Sequence, residues 1–191
     1  MEEDKGKKSI PFIEGKDINL CPPNTEHINL YTRWMNNPRI RKYARYEFPQ
    51  IIEEVKKWFE PKQETMKSEI FLEIWHKADE KPIGYAGFID IRWLDRNAFL
   101  FYLIGEPEYW GKGFATEAAK LVVEYGFNEL NFNKINATVF TPNVSSVKVV
   151  EKNGFKHELT LKKEIYIDGK YIDALKYSIL KREWLSLQGD Q

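Results

Sequence analysis

The sequence predicts an α/β (α+β) protein built on one mixed sheet with helices on both faces. The apolar patterns follow the order strand, two or three helices, three strands, helix, strand, helix and hairpin. The segment 98–105 (AFLFYLIG) is apolar at nearly every position, which predicts a central strand covered on both sides. Asp168-Gly169, between two long strand patterns, is the typical signal of a two-residue hairpin turn.

The first half of the chain begins with a strand at 17–22 and continues with helical patterns. Asn24 or Thr25 can cap a helix whose apolar residues recur at helical spacing, and this helix is expected to end before Pro38. The segment 39–49 (RIRKYARYEFP) is basic and aromatic and is read as a connector. A second helix is expected at 50–60.

The second half begins with three strands joined by two turns, which predicts a meander, since turn residues separate alternating apolar segments. A helix then follows a glycine-containing turn, and a later helix has Asn143 as its cap and Gly154 at its end. In chain order the predicted elements are strands at 70–77, 82–94 and 98–105, a helix to about 127, a strand at 135–140, a helix at 144–153 and strands at 158–167 and 170–180.

Length and charge restrict the class of protein. The 191 residues favour one domain at 12–186, with a disordered tail at 1–11 and a second tail at 187–191. Lysine plus arginine and aspartate plus glutamate both number 29, which gives no general attraction to nucleic acid or to a membrane surface. We therefore expect no DNA partner and no membrane partner.

The cysteine and histidine content favours a metal-free protein of the cytoplasm. Cys21 is the single cysteine, so an internal disulfide is excluded and a reducing interior is favoured. The apolar runs are too short to cross a bilayer, and the charged N-terminus lacks the apolar core of a secretion signal. The three histidines do not have the spacing of metal ligands, so no metal is expected.

The turn Gly111-Lys112-Gly113 has two interpretations. One is a tight connection between the strand ending at Gly105 and the next helix. The other is an anion cradle, because a helix N-terminus with free N–H groups follows and glycines let a ligand approach the backbone. The spacing fits neither a P-loop nor a dinucleotide-binding motif. Asn143 and Ser146 are likewise either a helix cap or part of the same cleft.

The motifs in order resemble a known family. The segments YLIGEPEYWGKGFATEA and NVSSVKVVEKNGF, followed by the Asp-Gly hairpin, resemble the acetyl-CoA-binding half of the GNAT superfamily of N-acetyltransferases. More narrowly they are similar to the branch that contains the ribosomal-protein N-terminal acetyltransferases. The resemblance covers roughly residues 12–184. It implies a mostly antiparallel GNAT-type sheet with a splay between the two central strands.

The resemblance also implies an activity and a partner. The protein would move an acetyl group from acetyl-CoA to a primary amine, on a protein N-terminus or a small molecule, by direct transfer in a ternary complex. Acetyl-CoA would be the co-substrate, and the protein would be a monomer or a homodimer. A catalytically weak CoA-binding module of the same fold is the alternative. A third hypothesis, a nucleic-acid binder that uses 39–49, is disfavoured by the balanced charge.

The resemblance assigns acetyl-CoA to backbone groups more than to side chains. The pantetheine arm would pair with the strand at 103–105, the pyrophosphate would bind amides at 110–115, and Lys148 or Lys152 would reach the 3′-phosphate unless these lysines only face solvent. The implied cofactor-binding residues are Leu103, Ile104, Gly105, Trp110, Gly111, Lys112, Gly113, Phe114, Ala115, Thr116, Asn143, Ser146 and Lys152.

The catalytic residues are less well defined because the chain departs from the family pattern. Many relatives have a glutamate in the strand before the glycine turn, where this chain has 99–102 (FLFY), and many have a tyrosine acid where this chain has Val150. Ser146 matches a serine placed near the thiolate in some members. The general base is left open among four carboxylates, each of which can equally be a solvated surface group: Asp90, Asp95, Glu106 and Glu47.

The acceptor pocket is expected on the side of the basic and aromatic segment. Such a pocket favours an acceptor with an acidic or ring-bearing part, whereas the alternative is an amphipathic connector without a binding role. The candidate substrate-binding residues are Trp34, Tyr43, Tyr46 and Phe48.

Overall fold

The structure, a computed structural model, describes residues 10–44, 48–60 and 66–189. Within these ranges the strands are β1 (Ile13–Glu14), β2 (Ile18–Cys21), β3 (Ile70–His76), β4 (Lys81–Arg92), β5 (Asn97–Ile104), β6 (Lys134–Phe140), β7 (Lys156–Ile167) and β8 (Lys170–Leu180). The helices are α1 (Ile28–Asn36), α2 (Pro38–Ala44), α3 (Ile52–Lys57), α4 (Phe114–Asn128), α5 (Val144–Lys152) and α6 (Lys181–Gly189). Short 3-10 turns lie at Thr25–His27 and Pro107–Tyr109.

All strands belong to one sheet in the order β1-β2-β3-β4-β5-β6-β8-β7. Neighbouring strands run antiparallel except β5 and β6, which run parallel. The predicted meander is β3-β4-β5 and the predicted hairpin is β7-β8. Asp168 and Gly169 have φ of 51° and 77°, the left-handed pair that a tight hairpin turn requires. The prediction of a mixed, mostly antiparallel sheet is confirmed.

Helices cover both faces of the sheet, as predicted. Side chains of β5 alternate between the faces, so Leu100 and Tyr102 pack with α4, α5 and α6, while Phe101 and Leu103 pack with α1, α2 and α3. The two hydrophobic cores that result are separated by the sheet. Central β5 is not fully covered, however, because its C-terminal half is only half-buried and opens into a cleft.

The two central strands separate after a short parallel pairing. Within the described chain, β5 and β6 are paired from Asn97↔Lys134 to Phe99↔Asn136. Beyond Phe99, β5 follows β4 while β6 follows β8, because each keeps its antiparallel partner to the end. The predicted splay is therefore present, and it leaves backbone groups of both strands without a neighbouring strand.

Three elements differ from the sequence prediction. The connector at 39–49 contains helix α2, for which Asn37 is the cap: its side chain accepts a hydrogen bond from the Arg39 N–H at 2.9 Å, and Pro38 occupies the first helical position. Strand β1 and helix α6 were not predicted. Helix α6 includes 187–189, a segment predicted to be a tail, and it is held by Trp184, which packs on Phe127.

Among the described helices, none combines the length and the apolar character that crossing a bilayer demands.

Candidate functional site

A large cleft of about 2170 Å³ follows the gap between β5 and β6. Its glycine-turn end is lined by Gly111, Gly113, Phe114, Ala115 and Thr116 at the start of α4, together with Asn143 and Ser146 at the start of α5. Its aromatic end is lined by Tyr43, Trp58, Phe59, Phe71, Tyr85 and Phe101. The splayed strands lie between these two ends. A long ligand that enters at the glycine-turn end would therefore meet, at the splay, a second ligand that enters at the aromatic end.

The glycine turn presents unused backbone donors to the cleft. Gly111 and Gly113 have φ of 74° and 95°, and a Cβ on either would meet no atom within 4 Å. Within the described chain, no hydrogen bond is present at the N–H groups of 111–115, whereas Thr116 and Glu117 donate theirs to the Gly113 carbonyl. Free N–H groups in the turn before a helix and in its first turn can bind an anion, because the helix dipole adds to their partial positive charge.

Trp110 and the Lys112 side chain are not placed to bind a phosphate in the cleft. The Trp110 N–H already donates to the Pro107 carbonyl at 3.1 Å, and its indole N–H donates to the Ile104 carbonyl at 2.8 Å. The Arg39 guanidinium lies 4.9 Å from the indole ring. Lys112 does not line the cleft, and its ammonium lies 5.3 Å from the ring of Tyr109. Trp110 therefore supports the turn from the side.

Along β5, successive residues direct their backbone N–H and C=O groups alternately toward β4 and toward the gap. Gly105 donates its N–H to a carbonyl of β4 at 2.8 Å, so Gly105 and Leu103 direct their backbone groups toward β4. The backbone groups of Tyr102 and Ile104 therefore point into the gap. The Ile104 carbonyl already accepts the indole N–H of Trp110, but its N–H does not take part in that bond. Of Leu103, Ile104 and Gly105, which were predicted to pair with a ligand, Ile104 directs its backbone groups into the gap and the other two direct theirs toward β4.

The start of α5 is tied to β5 across the splay. The Asn143 side chain accepts a hydrogen bond from the Ser146 N–H at 3.1 Å, so Asn143 is a helix cap and still lines the cleft. The Tyr102 hydroxyl donates to the Ser146 carbonyl at 3.1 Å. Burial raises the pKa of Tyr102 to about 12, so the phenol stays protonated at neutral pH. Val150 is buried, as its apolar character requires.

Two lysines of α5 line the glycine-turn end. Lys148 and Lys152 are both exposed and both border the cleft, on the same side as Asn143. Their spacing of four residues places them on one face of the helix. This position fits a role in binding a second anionic group, and it fits a solvated helix face equally well.

The four candidate bases are not brought together. Asp90 lines the cleft at a bulge of β4 and has a left-handed φ of 50°. Asp95 lies in the turn after β4, outside the cleft. Glu106 also lies outside it, because its carboxylate accepts hydrogen bonds from the Arg33 side chain and from the Trp34 indole. Glu47 lies outside the described residues.

The candidate substrate residues are also separated. Tyr43 lines the aromatic end of the cleft. Trp34 is 1% exposed and is part of the core under α1, so it does not reach the cleft. Phe48 is 75% exposed and does not line the cleft, and Tyr46 lies outside the described residues.

Sequence reasoning missed the aromatic floor of the cleft. Phe71, Tyr85 and Phe101 come from three adjacent strands, and no local motif links them. Within each strand pattern, aromatic residues alternate with other residues, and this alternation was the available signal. It does not show that the three rings share one face of the sheet until the register between the strands is known. Among the described residues, no group of three or more His, Cys, Asp or Glu has an arrangement that would hold a metal ion.

The chain is similar in sequence to several proteins that are described as N-acetyltransferases. Spermidine N(1)-acetyltransferase of Escherichia coli strain K12 is 36% identical over 110 residues, which is 58% of this chain and 59% of that protein. An N-acetyltransferase called p20 from Bacillus licheniformis is 37% identical over 56% of this chain and 60% of its own length. The chain thus matches about three fifths of these first curated relatives. A prophage-derived N-acetyltransferase of Bacillus subtilis is 28% identical over 92% of this chain and 97% of its own length.

The fold is shared with a solved enzyme. The crystal structure of spermidine N-acetyltransferase from Vibrio cholerae, in complex with CoA and spermine, superposes with a TM-score of 0.81 at 27% identity. It covers 90% of this chain and 99% of the other. The family model for the acetyltransferase (GNAT) domain matches residues 17–156, which is most of the chain and includes the glycine turn and α5. With this match, the splayed sheet and the glycine turn that precedes α4, the chain belongs to the GNAT acetyltransferase family.

Proposed function

We propose that this chain is an N-acetyltransferase that moves an acetyl group from acetyl-CoA to a primary amine, by direct transfer in a ternary complex. The observation that carries the proposal is the parting of β5 and β6 after Phe99 and Asn136, in a cleft that begins at five free N–H groups. An anionic, elongated co-substrate fits that shape. Its reactive end would lie at the splay, where the amine arrives from the aromatic end.

The chain offers three kinds of contact to acetyl-CoA. The N–H groups at 111–115 suit the pyrophosphate. The backbone N–H of Ile104 at the free edge of β5 suits an amide group of the pantetheine arm, as a further strand would pair there. Asn143 adds its amide N–H₂, since capping uses the oxygen of this side chain. Gly105 and the side chain of Lys112 have no part in this assignment.

The reaction needs a neutral amine and a polarised thioester. The amine nitrogen forms a bond to the acetyl carbon, the carbon–sulfur bond breaks, and the amine loses one proton. The free N–H of Tyr102, which lies farther from the glycine turn than Ile104, can polarise the carbonyl oxygen. We assign the removal of the amine proton to Asp90 through water, and we assign the Ser146 hydroxyl to hydrogen bonding with the leaving sulfur. Tyr102 is a positioning residue that holds Ser146.

The acceptor is proposed to be a small amine. The relatives from Escherichia coli and Vibrio cholerae are described as spermidine N-acetyltransferases, which supports a small-molecule acceptor over a protein N-terminus. The narrower resemblance to the ribosomal-protein branch stays a prediction. Short peptides with free N-termini therefore belong in the test panel beside small amines.

Calorimetry and thiol release test the proposal. Titration of CoA into the wild-type protein should give one binding event, and Gly111→Val and Gly113→Val should abolish it, because a β-branched residue resists the left-handed φ that aims these N–H groups. Gly169→Val is the matched control. It introduces the same residue at φ of 77° in the hairpin turn, away from the cleft.

Turnover is then measured as release of free thiol from acetyl-CoA with each amine. We expect release with at least one primary amine and none with its N-acetylated form. CoA binding without turnover on any amine would support the CoA-binding module instead. Absence of CoA binding would contradict both functions. Loss of binding in Gly169→Val as well would show that general misfolding explains the glycine variants.

A further inference from the structure

Three aromatic rings on adjacent strands form the floor of the aromatic end. The centroids of Phe71 on β3 and Tyr85 on β4 lie 4.7 Å apart, and those of Tyr85 and Phe101 on β5 lie 6.1 Å apart. Phe71 and Phe101 are half-buried and line the cleft, so their ring surfaces are accessible from it. A flat ligand group that enters this end therefore meets aromatic carbon.

The register of the sheet explains why the rings meet. Gly87 on β4 is the partner of both Phe71 and Phe101. A Cβ at this position would lie 1.9 Å from the Ile70 carbonyl oxygen and 3.1 Å from the Phe101 ring, so no side chain fits between the two phenylalanines. Their centroids approach to 6.0 Å as a result. The floor is continuous across three strands.

Aromatic residues also border the mouth of this end. Tyr43 of α2 is 37% exposed and Trp58, just after α3, is 42% exposed, although both line the cleft. Phe59 lies deeper, with its ring 5.5 Å from that of Phe71. Tyr43 therefore offers a ring surface at the mouth of the cleft that a ligand can cover.

Charged side chains of both signs border the cleft in the described part of the chain. Glu60, Glu69, Asp90 and Glu164 line it together with Lys67 and Lys176, whereas Arg39 lies against Trp110 beside the glycine turn. A site for a polyamine needs negative charge to compensate several ammonium groups, and the two lysines oppose such a ligand. A ring-lined floor instead fits a ligand with one amine and an apolar body.

We propose that the acceptor is a primary amine carried on an aromatic or similarly flat apolar group, with Phe101 and Tyr43 as specificity-determining residues. This inference rests on the proposed transferase function. The ring of the acceptor packs on the floor formed by Phe71, Tyr85 and Phe101, and its amine reaches the splay near Asp90. The acetyl group passes to that nitrogen and the thiol of CoA is released, so no further reactant is needed.

A matched panel of amines tests the acceptor class. Rates of thiol release are measured with 2-phenylethylamine, n-hexylamine, spermidine and a short peptide that begins with phenylalanine. We expect kcat/KM for 2-phenylethylamine to exceed that for spermidine by about tenfold or more, because stacking on the floor is available only to the ring. A preference for spermidine over both monoamines would overturn the inference and leave the transferase function intact.

Two variants locate the preference in the cleft. Phe101→Leu and Tyr43→Ala should each lower kcat/KM for 2-phenylethylamine by about threefold to tenfold, chiefly through KM, and lower the value for n-hexylamine by a smaller factor. Tyr171→Leu is the control, because Tyr171 is 65% exposed on the hairpin and outside the cleft. Since Tyr43 is on the rim, its variant should fold even if Phe101→Leu does not.

The outcomes are separable. Equal losses for both monoamines in the two variants would contradict a ring-specific role. CoA binding without turnover on any amine would remove the proposed function itself, and the acceptor inference with it. Unchanged selectivity in Tyr43→Ala and in folded Phe101→Leu would overturn the inference alone.

Discussion

The hydroxyl of Tyr102 on β5 donates a hydrogen bond to the main-chain carbonyl of Ser146 on α5, at 3.1 Å. This bond crosses the gap between the two central strands, where no backbone hydrogen bonds join β5 to β6 after Phe99 among the described residues. It links the strand that would hold the co-substrate to the helix that carries Asn143 and Ser146. Tyr102 thus takes part in holding the cleft at its width.

Alkaline stability should report the burial of Tyr102. Its pKa rises from 10.0 to about 12 on folding, mainly through desolvation. The unfolded chain therefore loses this proton first, so the stabilising contribution is complete below pH 10 and is lost as the pH rises from 10 to 12. Between pH 10 and pH 12 the free energy of unfolding should therefore decrease by roughly 1–3 kcal/mol less in Tyr102→Phe than in the wild type. Urea unfolding at several pH values measures this.

The control is Tyr166→Phe, measured over the same pH series, because it removes the hydroxyl of an exposed tyrosine on β7. Tyr31 also has a raised pKa and contributes in the same direction, so only the difference between wild type and Tyr102→Phe is informative. Identical alkaline slopes in wild type and Tyr102→Phe would show that Tyr102 ionises normally in the folded protein.

The choice of general base can be decided by amide substitutions. Asp90 is the one of the three described candidates that lines the cleft. Asp90→Asn should lower kcat by about 100-fold or more, because general base catalysis contributes about 10²–10⁴ in rate. Asparagine tolerates the left-handed φ of 50° at this position, so the backbone is kept. Asp95→Asn, outside the cleft, should stay within twofold of wild type in steady-state assays.

Equal losses in Asp90→Asn and Asp95→Asn would argue for a general charge effect. A normal kcat in Asp90→Asn would leave water alone as the proton acceptor, with positioning of the two substrates as the source of the rate. Either result would remove Asp90 from the mechanism.

The fold was predictable where one segment carries its own signal. The apolar run that forms β5 and the Asp168-Gly169 turn predicted the centre of the sheet and its last hairpin, and both are confirmed. Helix α2 was missed although Asn37 and Pro38 are a cap and a first-turn proline, because the same two residues were read as the end of α1. One residue can end a helix and begin the next, which a local pattern does not distinguish.

The site was predictable only in its local part. The glycine turn at 111–113 and the capping Asn143 each lie within one short segment, and both line the cleft. The aromatic floor depends on the register of three strands, and the exclusion of Glu106 depends on its bonds to α1. These contacts join residues that are far apart in the sequence and form only when the chain packs, so a local sequence pattern does not predict them.

A buried carboxylate holds α1 on the sheet. Glu73 of β3 accepts hydrogen bonds from the Tyr31 hydroxyl at 2.5 Å and from the His27 ring at 2.7 Å. Desolvation and the Glu73 carboxylate both raise the pKa of Tyr31 above its ordinary value. Tyr31→Phe removes one donor from a fully buried acceptor. We therefore expect a loss of about 1.5–3 kcal/mol in the free energy of unfolding, measured from the urea midpoint.

The exposed Tyr166 gives the matched control for this loss, because Tyr166→Phe removes the same hydroxyl from a solvated site. Its unfolding free energy should stay within about 0.5 kcal/mol of wild type. A comparably small change in Tyr31→Phe would mean that the His27 ring alone satisfies the Oε2 atom of Glu73.

Helix α6 should contribute to stability through one side chain. Trp184 is 7% exposed and packs on Phe127 of α4 with ring centroids 5.3 Å apart, whereas the next residue, Leu185, is 52% exposed. Trp184→Ala should therefore cost about 3–5 kcal/mol in unfolding free energy, because it leaves a cavity against α4. Leu185→Ala should cost less than about 0.5 kcal/mol, since it removes little buried surface. Urea unfolding of the two variants measures the difference, and equal losses would show that helix propensity rather than packing holds α6 in place.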